Sequence, residues 1–214
     1  HAALRGGRFI ATRSLTARVD MAIEKARHPG LSYVYWGDID AAGHKYGWQS
    51  DRWVAALEDA DQELRRLATS LPRGAIMVVT ADHGMVDVAG EPRWDVGTDG
   101  VLARDVELVA GEPRALHLYA DPDNVAAVVA RWTERLGDHA VVMTRDEAAA
   151  IGLFGPISAD VSSRVGDVVV VMAQRATVVD SRTQSPHSLG LIGLHGSLTP
   201  EELTVPLLIA GRDS

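Results

Sequence analysis

Two apolar runs separated by an amphipathic helix constrain this chain most. "LSYVYWG" (31–37) has the aromatic and β-branched character of a buried strand, and "AIMVVTA" (75–81) is equally apolar. Between them, residues 50–71 place Val54, Leu57, Leu64, Leu67 and Leu71 on one helical face. Strand, helix, strand at this spacing predicts a βαβ unit, with parallel pairing in a sheet covered by helices. A helix is also predicted over 14–27, with Ser14 as its cap and Leu15, Val19, Ile23 and Ala26 as its apolar stripe. Pro29-Gly30 ends it. Near the other end, "VPLLIA" (205–210) reads as a further strand of the same sheet.

The middle of the chain has a different texture. Residues 88–113 are rich in Gly, Pro and charge and read as loop with one hairpin. "RALHLYA" reads as a strand, "DPDNVAAVVARWTERLG" as a helix, "AVVMT" as a strand and "RDEAAAIG" as a short helix. "GDVVVVMA" and "ATVVDS" are expected to pair with each other. The expected fold class is therefore α/β. Residues 1–98 and 166–214 form the core, and 99–165 form a small inserted α+β lobe.

Composition narrows the chemistry. A formal net charge of −8 over 214 residues argues against a nucleic-acid polymer or an anionic membrane as partner. No apolar run is long enough to span a bilayer. There are no cysteines, so any metal must be held by His, Asp, Glu or backbone oxygen. The N-terminal stretch has no apolar signal core, which favours a cytoplasmic location as the expectation. It also begins abruptly, as a fragment would.

Polar clusters follow both early apolar runs. "YVYWG" leads into "DIDAAGH", a polar loop carrying Asp40 and His44, and "IMVVTA" leads into Asp82-His83-Gly84. Sites in open α/β sheets form at the carboxyl ends of strands, so these corners are candidates to meet. Gly43 and Gly47 would let the first loop fold tightly enough to aim both side chains at one point. His195, between Gly193 and Gly196 before the last strand, is a third corner. Two carboxylates and three imidazoles would satisfy much of a two-metal hydrolytic site. Asp38 competes with Asp40 as a ligand, but lies two residues further from His44. Trp36, Trp48 and Trp53 surround the first loop as packing residues, or as a stacking wall beside the site.

"DAAGHKYG", "TADHGM" and "GLHGSLTPEELTVPLLIAG" together resemble the type I phosphodiesterase/nucleotide pyrophosphatase family of the alkaline phosphatase superfamily. Ile39 departs from the Pro that many members carry before the Asp. The resemblance implies an alkaline-phosphatase-like central sheet with helices on both faces. It implies two divalent ions, zinc by preference: Asp40, His44 and His195 on one, Asp82 and His83 on the other. It also implies a small phosphoester substrate such as a nucleotide. A further Asp ligand and a Thr or Ser nucleophile, which attacks phosphorus in line, are expected upstream of His1, in the missing N-terminal part of the protein. Without them, this chain alone is expected to be inactive. The alternatives are another hydrolase of the superfamily (phosphomonoesterase, phosphonate hydrolase or sulfatase), or a catalytically silent metal-binding module.

Overall fold

The computed structural model describes residues 5–211; residues 1–4 and 212–214, the ends of the expected core segments, lie outside the described residues. The elements run α1 (Leu15–Lys25), α2 (Asp38–Tyr46), α3 (Asp51–Ser70), β1 (Ile76–Thr80), β2 (Val86–Asp87), β3 (Arg93–Asp95), α4 (Gly100–Ala103), β4 (Leu108–Glu112), β5 (Ala115–Tyr119), α5 (Val125–Leu136), β6 (Ala140–Thr144), α6 (Arg145–Ala150), α7 (Ala159–Ser162), β7 (Val168–Met172), β8 (Thr177–Val179), α8 (Pro186–Leu189), β9 (Gly193–Leu194), α9 (Pro200–Leu203) and β10 (Leu207–Gly211).

Ser14 caps α1 as expected, its hydroxyl accepting from the Ala17 N–H at 3.2 Å. Ser50 does the same for α3, accepting from the Trp53 N–H. Leu15, Val19 and Ala22 of α1 pack on Ala60, Leu67 and Leu71, with Met77 of β1 against the same cluster. The stripe on α3 is buried only in its later turns: Val54 and Leu57 are exposed.

The expected strand over 31–37 does not form. This segment has no ladder partner among the described residues and is largely exposed, Leu31 at 96%. β-branched and aromatic composition stabilises a strand only through neighbours that pair with it. The predicted parallel pairing is therefore absent as well. β1 pairs instead with β10, antiparallel, with Val78 opposite Ile209. One face of this ribbon turns Met77 toward α1 and α3. The other presents Ile76, Val78, Leu207 and Ile209, all exposed.

The lobe is an antiparallel sheet in the order β4-β5-β7-β6. The hairpin expected within 88–113 forms later in the chain: β4 lies in that range but pairs with β5 beyond it, with Leu108 opposite Tyr119. β7 is buried along its whole length and lies inside the sheet, which therefore continues past residue 165 to Met172. The expected pairing of β7 with β8 fails for that reason: β5 and β6 already occupy both edges of β7. β8 pairs with β3, in parallel. α5 covers the sheet with Val128, Trp132 and Leu136. Trp132 is fully buried and donates its indole N–H to the Leu102 carbonyl at 3.1 Å.

Candidate metal centre

The first polar cluster is a helix, α2, and not the expected loop. Asp38 and Asp40 in its first turn suit the helix dipole, and Ala41 and Ala42 favour helix. Gly43 and Gly47 gave the segment its loop-like look, but they serve other ends. Gly43 is a packing glycine: a Cβ there would lie 2.5 Å from Met85 Sδ and 3.3 Å from Trp53 Cδ1. Gly47, at φ +89°, ends the helix, and its N–H bonds to the Gly43 carbonyl. Asp87 then accepts from the Trp48 N–H at 2.9 Å, fixing the exit from α2 to β2.

A spacing of four on a helix puts Asp40 and His44 on one face. His44 Nε2 lies 3.3 Å from Asp40 Oδ1. The rest of His44 is tied to β9. Its carbonyl accepts from the Ile192 N–H at 2.8 Å, and its Nδ1 lies 2.7 Å from the Gly193 carbonyl. A carbonyl can only accept, so Nδ1 carries a proton, and in the neutral ring the lone pair is on Nε2. Gly193 is required for this approach, because a Cβ on it would overlap the Gly43 carbonyl oxygen and Met85 Sδ.

The Asp82-His83-Gly84 corner follows β1. His83 Nδ1 lies 2.8 Å from the Gly84 carbonyl, which again places the lone pair of the neutral ring on Nε2. The Gly84 N–H donates to the Glu202 carbonyl at 2.7 Å, and a Cβ on Gly84 would overlap the Glu201 carbonyl. His195 follows β9 directly. Its ring stacks on His83 with centroids 3.4 Å apart and planes at 14°, and it stands 5.2 Å from the His44 ring.

One ligand atom each from Asp40, His83 and His195 lie within 4.8 Å of one another. His44 stands against Asp40 beside them. Asp82 is at the rim, its side chain 73% exposed and its Oδ1 3.7 Å from His83 Nε2. The tightest group therefore takes His83 from one expected set and Asp40 and His195 from the other. Burial holds the His195 imidazole below the ordinary histidine range, helped by the positive charge that His83 and His44 carry when protonated and opposed by Asp40 and Glu112. Neutral imidazole is the form that ligates a metal.

Asp40 Oδ1 tests the fit. It is buried and has no hydrogen-bond partner, a costly state for a carboxylate oxygen. A cation between it and the imidazoles would satisfy it, and the donor set of carboxylate oxygen and imidazole nitrogen fits a divalent metal. Sequence reasoning gave no role to Asp87, Arg114 or Glu202. The last two are charged residues buried in full, which composition alone cannot reveal.

A family model for type I phosphodiesterase/nucleotide pyrophosphatase matches residues 6–198. The chain belongs to this family. Solved structures share its fold. Human ectonucleotide pyrophosphatase/phosphodiesterase 5 aligns over 95% of this chain and 54% of its own, with 18% identity and a TM-score of 0.76. An inactive variant of the murine enzyme, in complex with AMP, aligns with 19% identity and a TM-score of 0.75 over 95% of this chain and 54% of its own. Phosphonoacetate hydrolase from Sinorhizobium meliloti 1021 aligns with 24% identity and a TM-score of 0.58 over 79% of this chain and 43% of its own. At such identities the likeness shows the alkaline-phosphatase-like fold. The chain spans about half the length of these solved members of the superfamily. No curated protein matches the sequence. No helix among the described residues is long and apolar enough to cross a membrane.

Proposed function

We propose that this chain carries part of the two-metal centre of a hydrolase acting on phosphodiester or pyrophosphate bonds in a small nucleotide-like substrate. Asp40, His44 and His195 would hold one divalent ion, zinc by donor chemistry, and Asp82 and His83 would hold a second. The observation that carries the reading is the buried, unpartnered Asp40 Oδ1 facing converging imidazoles. Bound ions supply concentrated positive charge against the negative charge that develops on phosphoryl oxygens in an in-line displacement. The protein's own part is orientation. The Gly193 and Gly84 carbonyls fix the tautomers of His44 and His83, and burial keeps His195 neutral.

The nucleophile and the remaining ligands of the second ion are assigned to sequence outside these 214 residues. The half-length coverage of the solved structures and the exposed face of the β1–β10 ribbon both support that assignment. The test is metal content by elemental analysis, with zinc affinity measured by competition against a chromogenic chelator. The Asp40, His44 and His195 set should fill in this chain and the Asp82, His83 set should bind weakly. Asp40→Ala, His44→Ala and His195→Ala should each impair the first, and His83→Ala the second. Turnover of an aryl phosphodiester by the chain alone should be negligible. Metal content indifferent to all four substitutions would refute the proposal.

A further inference from the structure

We infer that Arg114 and Glu202 are a positioning pair that sets the separation of the two histidine corners, a role that rests on the metal reading above. Both side chains are buried, at 0% and 1% exposure. Arg114 Nε and Nη2 donate to Glu202 Oε1 and Oε2, each at 2.7 Å, as a bidentate pair. The rest of the guanidinium is anchored in the lobe: Nη1 donates to the Ala176 carbonyl and Nη2 to the Gln174 carbonyl, both at 2.8 Å. The fork is thereby held on the turn between β7 and β8.

Glu202 in turn binds both corners. Its carboxylate accepts from the Ser197 N–H at 3.0 Å and from the Thr199 hydroxyl at 2.5 Å. Its main-chain carbonyl accepts from the Gly84 N–H at 2.7 Å. Gly84 is the residue after His83, and Ser197 lies two after His195. The stacked His83–His195 pair thus stands on two loops that meet at one glutamate. Ser197 adds another tie to the lobe, its hydroxyl donating to the Met172 carbonyl. A buried ion pair is a weak source of net stability, because desolvation offsets the attraction. This geometry supplies direction: it transmits the position of the lobe sheet to the ligand atoms. Neither side chain belongs to the ligand group itself.

The experiment uses the whole chain and reads zinc affinity, the visible absorption of the cobalt(II) form, and urea unfolding in parallel. Glu202→Gln keeps the shape of the pair and loses its charge. The double variant Arg114→Met with Glu202→Leu replaces both charges by apolar groups, leaves no buried ion unpaired, and still removes the acceptor for Ser197. Thr199→Val only loosens the carboxylate and remains readable if the other variants do not fold. The expected result is a folded protein whose zinc affinity falls roughly 10- to 100-fold in the charge variants, the size typical of lost outer contacts. The cobalt spectrum should shift, and Thr199→Val should show a smaller loss in the same direction. Arg135→Met, which removes a half-exposed partner of Asp99 in the lobe, should change none of these metal readouts. Folded variants with wild-type zinc affinity and spectrum would overturn the inference while leaving the metal reading intact. A wild-type chain that binds neither zinc nor cobalt would overturn both.

Discussion

Gly193→Ala tests the close approach on which the centre is built. The φ of Gly193 lies outside the left-handed region, so the substitution probes space and not backbone strain. The new methyl would overlap the Gly43 carbonyl oxygen and Met85 Sδ, and lie 2.9 Å from the Gly43 carbonyl carbon. Met85 is flexible and can yield. The Gly43 carbonyl is helix backbone and moves only if α2 moves. Overpacking of this kind costs about 1–3 kcal/mol. Displacing α2 also stretches the Ile192–His44 and His44–Gly193 hydrogen bonds, at about 0.5–1.5 kcal/mol each. The sum is about 2–6 kcal/mol, which for a chain of this size lowers the melting temperature by roughly 4–24 °C. Zinc affinity should fall with it, because His44 loses the carbonyl that fixes its tautomer. Urea unfolding and chelator competition measure the two effects. Gly30→Ala is the control, since nothing lies within 4 Å of a Cβ there. A Gly193→Ala protein with unchanged unfolding midpoint and zinc affinity would show that the approach of α2 to β9 is not what holds His44.

Trp132→Ala should destabilise the lobe by about 3–5 kcal/mol in urea unfolding, since it empties a fully buried site. Trp132→Phe should cost less but still leave the Leu102 carbonyl unpaired, at about 1–3 kcal/mol. Stability should also depend on acid through Glu202. Burial acts to raise its carboxyl, but hydrogen bonds from Arg114, Thr199 and Ser197 outweigh burial and hold it below the ordinary glutamate value. The folded value lies under the unfolded one, so the contribution is complete above about pH 4.3 and disappears as pH falls through the folded value. The urea midpoint should drop across that acid range, and Glu202→Gln should flatten the drop.

Helices whose stripe and cap agree were legible in the sequence. α1 forms where Ser14 signals it, α3 forms where the stripe over 50–71 does, and "RALHLYA" marks β5 correctly. α2 was hidden because Gly43 and Gly47 look like loop residues, whereas one is a packing site inside the helix and the other is its stop. Pairing was less legible than strand identity. Nothing in "GDVVVVMA" says that β5 and β6 will take both its edges, and nothing in "LSYVYWG" says whether a neighbour exists. The candidate ligands stood out because they cluster near glycines soon after apolar runs. Their grouping was not, since it depends on how closely β9 approaches α2. Arg114 and Glu202 were invisible because sequence treats charge as exposed.

The hydrogen bond from His44 to Gly193 joins residues 149 apart in the chain, and that separation has a consequence in time. Closing a free loop of this length costs about 4 kcal/mol of entropy beyond the constant for any loop. The lobe lies inside that loop, and its pairings all span less of the chain: β4 meets β5 across a two-residue turn, and even the longest, Ala115 with Val171, is far shorter than the closure from α2 to β9. Local pairs form fast and long closures form slowly. Once folded, the lobe holds Leu108 to Met172 as one rigid splint and shortens the remaining flexible path between α2 and β9. Refolding should therefore bury Trp132 before the chain can capture zinc. In stopped-flow mixing, the tryptophan signal should precede release of a zinc-loaded dye, and zinc in the refolding buffer should slow final unfolding more than it speeds the first phase.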